Sequence, residues 1–82
     1  MYNQKQVSSY VSTVTGLMSR VLGRGQTQRL VDEHSDKLEA DESGMVLPSA
    51  LESFAEAFLA NVGNSGKQAS LRDELEEELE DL

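Results

Sequence analysis

Apolar residues recur every three or four positions in four separate stretches of this chain, and glycine-bearing breaks divide each stretch from the next. That period collects the apolar side chains of each stretch on one face of an α-helix, whereas a half-buried strand needs strict alternation. The expectation is an all-α fold: three short amphipathic helices in a small bundle, followed by a C-terminal acidic amphipathic helix.

The first stretch, residues 4–22, carries Val7, Tyr10, Val11, Val14, Leu17, Met18, Val21 and Leu22 within an arc of about 140°. Its Val, Thr and Ser content is mediocre for a helix, so this segment needs packing to persist. A glycine pair around Arg24 supplies the stop, with Arg20 and Arg24 near the negative end of the helix dipole. A second helix is expected over residues 27–40, with Thr27 as N-cap and Leu30, Val31, His34 and Leu38 along one edge. Residues 41–47 read as a loop in which Gly44 is free to take positive φ. Pro48 suits the first turn of a third helix over residues 48–62, since its missing N–H costs nothing there. Leu51, Phe54, Ala55, Phe58, Leu59 and Val62 form its apolar face, the strongest in the chain. Residues 1–62 are thus the expected helical core, with Val7, Val11, Val14, Met18, Leu51, Phe54, Phe58 and Leu59 in the core or in a self-association interface.

Gly63-Asn64-Ser65-Gly66 opens an expected flexible linker over residues 63–69. Beyond it, Leu71, Leu75, Leu79 and Leu82 share an arc of about 80°, and every acid of the segment lies outside that arc. Ser70 and Asp73 are spaced like a capping box. Opposing the helix, carboxylates four residues apart repel by a few tenths of a kcal/mol per pair. The expectation is an acidic docking helix over residues 70–82, ordered when its leucines meet an apolar surface. The residues expected to bind a partner are Leu71, Leu75, Leu79 and Leu82, with Glu74 and Glu78 beside them.

Eighty-two residues with no cysteine form at most one domain, with a modest core and no disulfide or thiolate zinc site to brace it. Extra burial through a homo-oligomer or a partner is expected, and a reducing, cytoplasmic setting suits the composition. No apolar run approaches the roughly 20 residues of a transmembrane helix. The charge is divided unevenly. Residues 1–31 hold Lys5, Arg20, Arg24 and Arg29 and no acid, a net of +4, whereas the remainder sets fifteen acids against Lys37, Lys67 and Arg72, a net of −12. That asymmetry fits an interaction surface or self-complementarity between ends of one chain or of neighbouring chains.

No spacing points to catalysis, a metal or a cofactor. His34 is the sole histidine and sits among Leu30, Val31 and Leu38, a setting for a core or half-buried side chain. The acids at Asp41 and Glu42 lack the alternating ligands and terminal Glu of a calcium loop. Gly23-Arg24-Gly25-Gln26 has no lysine with which to cradle phosphate, and no serine has a Gly-x-Ser-x-Gly setting. The leading functional expectation is a non-enzymatic protein–protein interaction module or small regulator of the adaptor, inhibitor or antirepressor type. Its partner would present a hydrophobic groove rimmed by Lys or Arg. The alternative is a structural subunit of a homo-oligomeric assembly. A further alternative gives the acid-free N-terminal segment a role in targeting, lipid or nucleic-acid contact, although four cations with few aromatics suit duplex binding poorly.

Overall fold

A computed structural model describes all residues, Met1–Leu82. The elements run β1 (Tyr2–Asn3), α1 (Gln4–Leu22), α2 (Arg24–His34), a single 3-10 turn at Ser35–Lys37, β2 (Met45–Val46), α3 (Pro48–Leu59) and α4 (Ser65–Glu80). The fold is an all-α bundle of four helices with one two-residue strand pair.

Helix α1 starts at a capping box that its Asn-x-x-Gln spacing encodes. The Gln6 N–H donates to Asn3 Oδ1 at 2.9 Å, and the Asn3 N–H donates to Gln6 Oε1 at 3.1 Å. Two N–H groups around the helix start that have no intrahelical acceptor are thereby satisfied. At the other end Gly23 has φ 87° and ψ 158°, which a side chain would resist. Its N–H donates to Ser19 O and its carbonyl accepts from the Thr27 N–H, so one glycine stops α1 and starts α2. The second helix therefore begins at Arg24 rather than at residue 27, and Thr27 lies one turn inside it, fully buried. The helix also ends earlier than residue 40, at His34, where a 3-10 turn runs into Leu38.

The expected loop at 41–47 contains a small strand. Asp41 Oδ1 accepts from the N–H groups of Ser43 and Met45, each at 2.9 Å, and Gly44 takes φ 77° in the tight turn. The turn sets Met45–Val46 antiparallel to β1, with Tyr2 opposite Val46 and Asn3 opposite Met45. The starts of α1 and α3 are thus held at the same end of the bundle. Pro48 occupies the first turn of α3, as its missing N–H allows. The regular helix stops at Leu59, three residues short of the expected Val62, and Asn61 and Val62 follow in turns closed on Phe58 O and Leu59 O.

Most of the expected linker is helix instead. Helix α4 begins at Ser65, five residues before the expected start, because Asn64 Oδ1 accepts from the Lys67 N–H at 2.9 Å and caps the helix. The Gln68 amide then reaches back to Leu59 O and Val62 O, tying the first turn of α4 to the end of α3. The Ser70 to Asp73 spacing lies inside the helix and caps nothing.

The core draws on every helix. Val7, Tyr10, Val14 and Met18 of α1 meet Leu30 of α2, Leu51, Phe54, Ala55, Phe58 and Leu59 of α3, and Leu71, Leu75 and Leu79 of α4, with Val46 and Val62 between them. Val11 is the exception among the expected core residues: it is half-buried at the margin. Phe54 and Phe58 pack edge to face with ring centroids 4.9 Å apart.

Whether α4 holds against its own charge is decided by magnitudes. Three carboxylate pairs stand four residues apart in it (Asp73/Glu77, Glu74/Glu78, Glu76/Glu80) and a fourth joins Glu77 to the capping Asp81, together about 1–2 kcal/mol of repulsion. Burying three leucines contributes about 5–9 kcal/mol. Packing exceeds repulsion, and α4 docks on the chain's own α1 and α3.

Candidate functional site

The leucine seam expected to meet a partner faces inward. Leu71, Leu75 and Leu79 are buried in the chain's own core and Leu82 packs half-buried at its edge, so the seam is used within the chain, and only small parts of Leu75 and Leu79 remain accessible, at a groove. Docking of a seam requires a complementary apolar face, and α1 and α3 provide one in the same chain. What remains on the surface of α4 is charge: Asp73, Glu74, Glu76, Glu77, Glu78, Glu80 and Asp81 are all exposed.

Helix α4 runs antiparallel to α3. Gln68 lies against Leu59, Arg72 against Glu56, and Glu76 shares a hollow with Glu52. Between these helices and the N-terminal half of α1 lies a groove of about 210 Å³. Its floor is apolar, made by Tyr10 of α1, Ala55 and Leu59 of α3, and Leu75 and Leu79 of α4; its rim is Glu52, Glu56, Arg72 and Glu76. Three carboxylates against one guanidinium leave the rim at a net charge of −2.

Arg72 is committed. Its Nε donates to Glu56 Oε1 at 2.8 Å and its terminal nitrogen donates to Glu56 Oε2 at 3.0 Å, a bidentate pair and the one salt bridge in the molecule. The pairing holds the Glu56 carboxyl below its ordinary range and raises the guanidinium further. At 41% and 53% side-chain exposure the two groups add little stability, but they fix one wall of the groove.

Tyr10 behaves differently. The residue is 2% exposed, its hydroxyl has no hydrogen-bond partner in the protein, and it lines the groove. Its hydroxyl is pushed up to about 12, first by burial and then by the negative charge of Glu52. The phenol is therefore neutral across physiological pH and can both accept and donate a hydrogen bond.

Of the two acids expected beside the leucines, Glu74 and Glu78 stand exposed on the flank of α4 away from the groove, since on a helical wheel they fall on the opposite side of the seam from Arg72 and Glu76. Glu76 is the acid of that helix that the groove uses. Tyr10, Glu52 and Glu76 come from three helices, and no spacing rule unites them.

Elsewhere, His34 is half-buried with Nδ1 lacking a hydrogen-bond partner. No group of three or more His, Asp or Glu side chains converges as metal ligands would. No helix is long and apolar enough to cross a membrane. In comparisons with known proteins, no family model, curated protein or solved structure matches the chain significantly.

Proposed function

We propose that the chain is a non-enzymatic interaction module, a small regulator of the adaptor or inhibitor kind, that binds a partner protein through the acidic face formed by α3 and α4. The observation that carries this reading is the groove between α1, α3 and α4, an apolar floor inside a rim of net negative charge. The leucines supply the scaffold and the groove floor, and the carboxylates supply the charged contact. A partner for this face carries lysine or arginine, as the sequence leads one to expect, but it meets a groove in this chain instead of offering one to the leucines.

Affinity capture with the purified chain as bait, run beside a Glu52→Gln/Glu76→Gln variant, tests the assignment. A basic protein retained by the parent chain and lost from the variant supports it. Equal retention by both refutes this face as the binding surface.

A second reading, a subunit of a homo-oligomeric assembly, is favoured by the distribution of cations. Lys5, Arg20, Arg24 and Arg29 are all exposed and none joins an ion pair within the chain. Arg20 and Arg24 sit at the α1–α2 turn, about 28 Å along α1 from the strand pair, while the acidic end of α4 returns toward the strand pair. Copies could stack basic end to acidic end. Light scattering at low and high salt decides: a mass that grows at low salt supports assembly, and a monomeric mass under both conditions refutes it.

A further inference from the structure

We infer that the groove is a seat for one lysine side chain of the partner protein, a deepening that rests on the interaction-module reading above. Its volume of about 210 Å³ is below the ~300–1,000 Å³ typical of small-molecule sites and suits a single long side chain. A lysine has an aliphatic stem and a compact charged head with three donors. The stem matches a floor of Ala55, Leu59, Leu75 and Leu79. The head matches acceptors that the fold leaves unused: Glu52 and Glu76, neither of them in a salt bridge, and the Tyr10 hydroxyl. Glu56 is not available in the same way, because Arg72 occupies both its oxygens.

Two independent features converge here. One is the negative rim. The other is a tyrosine that is only 2% exposed yet directs no hydrogen bond to its own protein and borders the groove. Thr27 Oγ1 and His34 Nδ1 are the buried side-chain atoms without a partner; the Tyr10 oxygen instead reaches solvent through the groove, where an incoming ammonium can donate to it. An arginine would bring a planar fork to the same two free carboxylates, Glu52 and Glu76, and the peptide series below separates it from lysine.

The test uses the full chain and capped pentapeptides with alanines around a central lysine, acetyl-lysine, norleucine or arginine, followed by NMR of the Tyr10 ring and the leucine methyls. The lysine peptide is expected to give saturable shifts at Tyr10, Leu75 and Leu79, with acetyl-lysine and norleucine weaker by about tenfold or more, as loss of a charge-assisted hydrogen-bond set implies. Glu52→Gln/Glu76→Gln, at two exposed positions, should abolish those shifts, and Glu74→Gln/Glu78→Gln should leave them in place. Norleucine binding as well as lysine, or lysine shifts spread unsaturably along the whole of α4, would overturn the seat. A basic partner protein that binds Glu74 and Glu78 with the Tyr10 and Leu75 signals unmoved would also overturn it, while leaving the interaction module standing.

Discussion

Replacing Leu75 with alanine tests whether α4 belongs to the folded unit. Leu75 is 2% exposed, in the middle of the seam, and borders the groove floor. Truncating a buried leucine loses its transfer free energy and leaves a cavity, together about 2–5 kcal/mol; about 3 kcal/mol is expected here, since α4 lies at the bundle margin and can relax inward. A chain of this length holds about 4–12 kcal/mol in total, so the variant should retain a fold with a much reduced reserve. At ~4–8 °C per kcal/mol, the midpoint of thermal unfolding should fall by about 12–24 °C. Far-ultraviolet circular dichroism through heat and urea titrations reads this directly. The urea slope should be unchanged, because the surface exposed on unfolding is nearly the same. A loss below about 0.5 kcal/mol is the size of an ordinary surface substitution and would refute the docking of α4.

Thr27 Oγ1 is fully buried without a hydrogen-bond partner, so Thr27→Val should stabilise the fold by about 1 kcal/mol in the same urea titration, and a loss would mean that the hydroxyl is satisfied. The neutral Tyr10 hydroxyl is favoured by folding, since its folded value of about 12 exceeds the unfolded 10; the stability it contributes is intact below pH 10 and lost as pH rises to about 12. A Tyr10 ring that is half ionised at pH 10, followed by NMR to separate it from Tyr2, would contradict this. Glu56 has the opposite sign: its lowered value means that the stability it contributes is present above its ordinary 4.5 and lost as pH falls through the folded value. Arg72→Met should return the Glu56 carboxyl midpoint toward 4.5 in an NMR titration, and an unmoved midpoint would exclude Arg72 as the cause.

The helices that sequence describes well are those whose signals are local. The apolar period of α1 and α3 and the proline at residue 48 locate both starts without reference to the rest of the chain. The start of α4 is missed because its cap depends on side-chain reach: Asn64 reads as a member of a flexible run, but its side chain and that of Gln68 convert most of the expected linker into helix. The leucine seam is plain in sequence, yet a seam states only that an apolar face is needed. Whether that face lies in another protein or some 60 residues upstream, at Tyr10 and Val14, is a tertiary fact. The groove is invisible for the same reason, since Tyr10, Glu52 and Glu76 are far apart in the chain and meet only through the antiparallel return of α4.

Asn3 belongs at once to the strand pair and to the capping box, facing Met45 across the sheet while it closes the first turn of α1. The start of α1 therefore cannot fray independently of β2. Loosening the first turn removes a rung that bridges 42 residues of sequence, and pulling that rung apart unseats the helix cap. Closing a loop of that length costs conformational entropy that the rung and the packing beside it must offset. The same residue acts as a latch: once it has closed, the rotational setting of α1 is locked, and with it the direction in which Tyr10 faces.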